Sequence, residues 1–195
     1  MNPLSTVCVY CASSSKVDAV FTAAAHELGA ELADEGVCIA FGAGKCGLMG
    51  ALADGAKEKG GEIVGVIPKF MYDEGWGDEG LTRLEVTASM HERKERMLQL
   101  ADAVIAMPGG CGTMEELMEA ITWKQLGLFS HPIVILNTGG YYDPLIAMLE
   151  RAICERFMRD EHRDIWIVAN TPHEAVEAIK NAPRWRDDAR SIAAI

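Results

Sequence analysis

The stretch Pro108-Gly109-Gly110-Cys111-Gly112-Thr113-Met114-Glu115-Glu116 carries residue types suited to chemistry on an anion. It lies between an apolar run at 103–107 and a long segment with helical spacing, and reads as a strand-to-helix turn. Glycines leave room for backbone N–H groups to approach a ligand. The helix that opens there aims the positive end of its dipole at the same place. Glu116 follows one turn into that helix, so a carboxylate stands beside an anion cradle, an arrangement for work on a phosphate-bearing small molecule. Thr113 and Glu116 also have the T-x-x-E spacing of a capping box, in which Glu116 only ties back to the Thr113 N–H. The adjoining cradle favours a functional carboxylate. So does the face Glu116 shares with Ala120, Trp123 and Gly127, since apolar and small neighbours raise a carboxyl pKa.

A second cluster is Ser89-Met90-His91-Glu92-Arg93-Lys94, which opens another helix with its own capping box, Ser89 to Glu92. On a helical wheel Met90, Met97, Leu98, Leu100 and Ala101 define the apolar side, and Arg93 and Lys94 fall inside that arc. Their stems can snorkel to water, but the cost of burying charge favours two cations facing an anionic ligand or its reaction centre. Other motifs carry less. Cys111 sits at a helix start, where a thiol pKa falls, yet no His accompanies it, and Cys111→Ser is expected to leave activity largely intact. Cys8 and Cys11 have CxxC spacing, but strand alternation sends them to opposite faces, as buried thiols and not a metal or redox pair. Gly42-x-Gly44-x-x-Gly47 has the dinucleotide spacing, but it follows the second strand, and the next strand ends in Ile67-Pro68-Lys69 without an acid for a ribose. Ile39 and Cys46 break the P-loop pattern at the same turn.

The elements that position these residues alternate from end to end. Strand-like runs fall at 7–10, 37–41, 63–67, 103–107, 133–136 and 165–168. Helical patterns fall at 19–34, 48–59, 90–101, 114–128, 142–157 and 172–180. Such alternation predicts an α/β fold, a mainly parallel sheet with helices on both faces. Ligands of these sheets bind at the carboxyl ends of the strands. Three small-residue turns fall there, Ser13-Ser14-Ser15, the run 42–47 and the run 108–113, and are expected to converge on one pocket. The segment 69–80, with Asp73, Glu74, Trp76 and Asp78, is the longest irregular piece and is expected to be a lid or pocket wall. The charged tail from Pro183 is expected to fray.

The chain has 195 residues, is 49% hydrophobic and carries a net charge of −11, which fits one domain over 1–195 and gives no footprint for nucleic acid. No apolar run is long enough for a bilayer, and the first residues lack the basic region of a secretion signal, so a cytoplasmic protein is expected. The helix at 114–128 is apolar on more than one side, with Leu117, Ile121 and Leu128 on one and Trp123 and Leu126 on another. That predicts a homodimer with this helix near the interface.

At these residues the chain resembles the Lonely Guy (LOG) family, the cytokinin riboside 5′-monophosphate phosphoribohydrolases. The resemblance rests on Val9-Tyr10-Cys11-Ala12-Ser13-Ser14, Gly47-Leu48-Met49-Gly50, Gly65-Val66-Ile67-Pro68, Met90-His91-Glu92-Arg93-Lys94, the PGGxGTxxE run ending at Glu116, Thr122-Trp123-Lys124-Gln125-Leu126, and the segment 137–142. It implies a Rossmann-like, doubly wound fold, a dimer, and hydrolysis of the N-glycosidic bond of AMP-like nucleotides to free base and ribose 5-phosphate, with no metal or cofactor. Arg93 and Glu116 would be catalytic. Gly109, Gly110, Gly112 and Thr113 would hold the 5′-phosphate, Lys94 would add charge there, and Ser13 and Ser14 would touch ribose or phosphate. Glu74, Glu115 and Thr122 complete the implied substrate contacts. Ala43 stands where the family usually has glycine, and is expected to narrow the pocket slightly. Such proteins have often been labelled lysine decarboxylases, but no pyridoxal-phosphate site is evident. Two alternatives remain at this point: a non-catalytic nucleotide- or cofactor-binding module, and a general purine nucleotide hydrolase.

Overall fold

The computed structural model describes residues 4–186 and 188–193. The short apolar runs pair side by side as β1 (Thr6–Tyr10), β2 (Cys38–Phe41), β3 (Ile63–Pro68), β4 (Arg83–Thr87), β5 (Ala103–Ala106), β6 (Ile133–Leu136) and β7 (Ile167–Ala169). They form one sheet of order β4-β3-β2-β1-β5-β6-β7, and every neighbouring pair is parallel. The helices are α1 (Ala19–Asp34), α2 (Gly47–Glu58), α3 (Lys69–Asp73), α4 (Met90–Leu100), α5 (Cys111–Gln125), α6 (Asp143–Cys154), α7 (Pro172–Asn181) and α8 (Ala189–Ala193). On one face Val7 and Val9 pack against apolar residues of α1, α2 and α7. On the other, Cys8 and Tyr10 pack against α4, α5 and α6. Strands buried on both faces read as continuous apolar runs, which is why the interior strands show so clearly in the sequence. Cys11 belongs with Val7 and Val9 and Cys8 with the opposite layer, so the two thiols cannot meet.

The chain runs outward from β1 to β4, then returns to lay β5 beside β1. At such a reversal the connections leave the sheet on opposite faces and open a crevice beyond the strand ends. The architecture is the Rossmann-like doubly wound sheet. Among the described residues, no helix is long and apolar enough to cross a membrane.

Several local expectations need correction. β4 carries Arg83 and Glu85 on an edge with no fully buried residue, so it lacks the apolar run that marks the interior strands. Residues Asp160–Ile165 form a 3-10 turn, and the last strand begins at Ile167. The segment 69–80 starts with the single helical turn of α3. Helix α5 starts at Cys111, three residues earlier than expected, with Gly110 as its extended N-cap. Thr113 is therefore inside the helix, and the Thr113–Glu116 capping box does not form. Leu128 lies beyond the end of α5 and is exposed. The tail is docked instead of frayed: Trp185 is buried, its Nε1 donates to the Lys124 carbonyl at 3.0 Å, and Ala189 of α8 is buried in the same layer as α5.

Candidate active site

Helix α5 begins without a side-chain cap. The first-turn N–H groups of Cys111, Gly112 and Thr113 have no intrahelical acceptor, and the dipole adds positive potential where they point. Gly110, Gly112 and Thr113 line a cleft of about 560 Å³ at the carboxyl ends of the strands. Two tyrosines from the segment after β6 fix the turn: Tyr141 Oη donates to the Gly109 carbonyl at 2.6 Å and Tyr142 Oη to that of Met107 at 2.7 Å. Asn137 locks this support, accepting from the Tyr142 N–H at 2.7 Å and donating to Asp143 at 2.8 Å. Gly109 is thus buried beneath the cradle, with its carbonyl engaged, and does not line the cleft.

The other two turns are stitched to this one through Ala12. Its N–H donates to the Pro108 carbonyl at 3.3 Å, and its own carbonyl accepts from the Leu48 N–H at 3.0 Å. Gly47 has φ of 62°, and a Cβ there would lie 2.5 Å from the Ser14 carbonyl oxygen, so only glycine lets the 13–14 turn approach. Ser13 and Ser14 line the cleft as a result.

Helix α4 supplies the cations. Its Ser89 cap accepts from the Glu92 N–H at 3.2 Å, while the Glu92 carboxylate reaches back to the Ala88 N–H at 2.8 Å. Arg93 is 6% exposed; its Nε donates to the Val66 carbonyl at 3.1 Å and its Nη1 lies 3.4 Å from Glu116 Oε1. Glu116 is 7% exposed. Burial pushes its carboxyl above the ordinary carboxylate range; Arg93 pulls it back, Glu115 and Glu119 push it up and Lys94 lowers it.

Lys94 turns toward α5. Its ammonium is bound to Glu115, and to Glu119 at 3.2 Å, and it stays outside the cleft lining, whereas Glu115 reaches the cleft edge. Glu74 sits exposed at the end of α3, outside the lining; its neighbours Met71 and Trp76 are the residues that wall the cleft. Thr122 is exposed far along α5, its hydroxyl donating to the Met118 carbonyl at 2.8 Å. In the single chain the structure therefore brings Ser13, Ser14, Arg93, Gly110, Gly112, Thr113, Glu115 and Glu116 to the cleft. It leaves Gly109, Lys94, Glu74 and Thr122 outside.

Sequence reasoning missed the apolar wall of Met49, Ile67, Met71 and Met90. These positions sit on four different elements, and no local pattern joins them. The wall is tethered where the 69–80 segment meets the second turn: Lys45 Nζ donates to the Gly75 carbonyl at 2.7 Å, and the Asp78 N–H to the Ala43 carbonyl at 2.8 Å. Ala43, at φ of 62°, has its methyl group buried toward Gly65 and lies outside the lining, so it does not narrow the cleft. Burial pushes the Cys11 thiol up, which removes it as a nucleophile.

A family model described as "Possible lysine decarboxylase" matches residues 49–179. The chain is 40% identical over 178 residues to the Oryza sativa subsp. japonica protein named probable cytokinin riboside 5′-monophosphate phosphoribohydrolase LOGL1, covering 91% of this chain and 80% of that one. It is 41% identical over 170 residues to the cytokinin riboside 5′-monophosphate phosphoribohydrolase LOG of the same plant, covering 87% and 70%. Among solved structures, the molybdenum cofactor binding protein of the phototrophic bacterium Rippkaea orientalis shares the fold, with a TM-score of 0.70 at 21% identity over 92% of this chain and 98% of that one. By the span of that model and by relatives near 40% identity along about nine-tenths of its length, the chain belongs to the LOG family.

Proposed function

We propose that the protein hydrolyses the N-glycosidic bond of N6-modified adenosine 5′-monophosphates, releasing the cytokinin base and ribose 5-phosphate. The observation that carries this reading is the buried Arg93–Glu116 pair, 3.4 Å apart, set in the same cleft as the uncapped start of α5. The 5′-phosphate sits on the free N–H groups of Cys111, Gly112 and Thr113, where amides and dipole together favour an anion. The base lies along Met49, Met71, Trp76 and Met90, an apolar wall suited to a purine with an apolar N6 substituent. The C1′–N9 bond breaks with its electron pair leaving on the base, and positive charge develops on the ribose. The Glu116 carboxylate stabilises that charge and accepts a proton from the water that adds at C1′, as carboxylates do in O-glycoside hydrolysis. That proton passes on to the departing base. Arg93 holds Glu116 in place and adds positive charge toward the phosphate or the leaving base. The reading invokes no metal and no cofactor.

The test is incubation with N6-isopentenyl-AMP and with AMP, followed by chromatography for free base. Base release from the modified nucleotide with the higher kcat/KM is expected. Equal rates on both compounds would make the protein a general purine nucleotide hydrolase, and binding without release would make it a carrier module. The reading also includes a cytoplasmic homodimer. Its interface takes the exposed Met118 and Leu126 together with Leu128 just past α5, apolar groups that a monomer leaves in water. Light scattering is expected to give twice the mass of 21.2 kDa.

A further inference from the structure

We propose that Lys94 is a positioning residue for the Arg93–Glu116 pair: its ammonium, held by α4, clamps Glu115 and Glu119, keeps α5 in register with α4 and cancels negative charge beside Glu116. The inference rests on the hydrolase reading above, and it departs from the expectation that Lys94 contacts the substrate phosphate.

The geometry is a two-rung ladder. Arg93 and Lys94 are adjacent on α4, and both are buried. Arg93 reaches Glu116, while Lys94 reaches Glu115 and, one turn further along the helix, Glu119. The Lys94 side chain is 9% exposed, whereas those of Glu115 and Glu119 are 55% and 27% exposed. The cation is thus sunk between the helices, with the carboxylates closing over it from the solvent side. An ammonium already bound to two carboxylates has little positive potential left for a phosphate, and it lies outside the cleft lining. It does have leverage on Glu116. From α4, Arg93 and Lys94 lower the Glu116 carboxyl, and from its own helix Glu115 and Glu119 raise it. Cys8 and Tyr10 of β1, Cys11 just past that strand and Tyr142 just before α6 also feel its charge; burial pushes all four groups up, so they are neutral at working pH and add no charge. The balance at Glu116 therefore depends on the two cations and the two flanking carboxylates.

The test combines pH profiles of kcat/KM with NMR titration of 13C-labelled glutamate carboxyls, the Glu116 resonance being assigned by its loss in Glu116→Gln. In Lys94→Met the acid limb and the Glu116 midpoint are expected to rise together by about one pH unit, with KM changed less than about twofold; Lys94→Arg restores both. Should Lys94→Met fail to fold, Glu115→Gln/Glu119→Gln serves, and its midpoint is expected to fall. A Lys94→Met protein with an unmoved midpoint and a KM raised tenfold would overturn the proposal in favour of direct phosphate contact. An unmoved midpoint in the double variant would also overturn it. Because the titration needs no turnover, it decides the role of Lys94 even if the nucleotide proves not to be hydrolysed.

Discussion

Glu116 does its work as a carboxylate, yet burial favours its neutral form. The acid limb of kcat/KM is therefore expected above the ordinary carboxylate range, with activity falling as pH drops through that raised value. A pH profile on N6-isopentenyl-AMP checks this, and a limb near pH 4 would exclude Glu116 as the titrating base. Glu116→Gln keeps the shape of the side chain and its partner Arg93. Turnover is expected to fall at least about a hundredfold while Tm stays nearly constant, since general-base catalysis contributes about that much or more. Arg93→Ala is expected to lose both activity and stability, because it strands a buried carboxylate; breaking such a pair costs about 3–5 kcal/mol. The sequence made these two residues legible, one through the glycine turn ahead of it and the other through its place on an apolar arc. It hid the partners of Lys94, because Glu115 and Glu119 lie 21 and 25 residues away and no local pattern spans that gap.

The elements carry constraints of their own. Gly42 follows directly after β2, and a Cβ there would lie 2.1 Å from Arg93 Nη2. Gly42→Ala is expected to displace the guanidinium from Glu116 and cut kcat tenfold or more, with a smaller change in Tm than Arg93→Ala. Kinetics beside a melting curve separate the two effects. The 69–80 segment hangs on the second turn through the Lys45 tether to Gly75. Lys45→Ala is expected to loosen the Met71–Trp76 wall and raise KM severalfold, leaving kcat almost unchanged, since the wall contacts the base and not the reacting bond. The five interior strands show in the sequence because both of their faces are buried. β4 does not show, because an edge needs one buried side only and charge protects the other. The start of α5 was also obscured. Cys111 and Gly112 are poor helix formers, and the strand-to-helix geometry of the turn, not their propensity, winds them into the first turn.

The whole molecule is closed by its tail, which composition alone marked as loose. Trp185 covers the end of α5, and the Lys124 ammonium sits 5.0 Å from the centre of its ring. Lys124 is 5% exposed, and burial pushes its pKa down to about 8. The folded protein thus disfavours the charged amine, while the unfolded chain binds a proton up to the ordinary lysine value near 10.4. Between these values the unfolded state holds more protons than the native one, so stability rises with pH across that window. Below pH 8 the penalty is fully present and amounts to about 3 kcal/mol at most, with the cation–π contact at Trp185 returning about 1–2 kcal/mol of it. Lys124→Met keeps the unbranched stem against the ring and removes the charge. It is expected to raise Tm at pH 7 by a few degrees, as about 1–2 kcal/mol does in a chain of this size. The advantage should shrink as pH climbs from 8 toward 10, because the buried wild-type amine is then neutral in the native state and its charging penalty is relieved. Melting curves at pH 7 and pH 10 decide it: a variant less stable than wild type at both values would mean that the aromatic contact outweighs the cost of burying the charge.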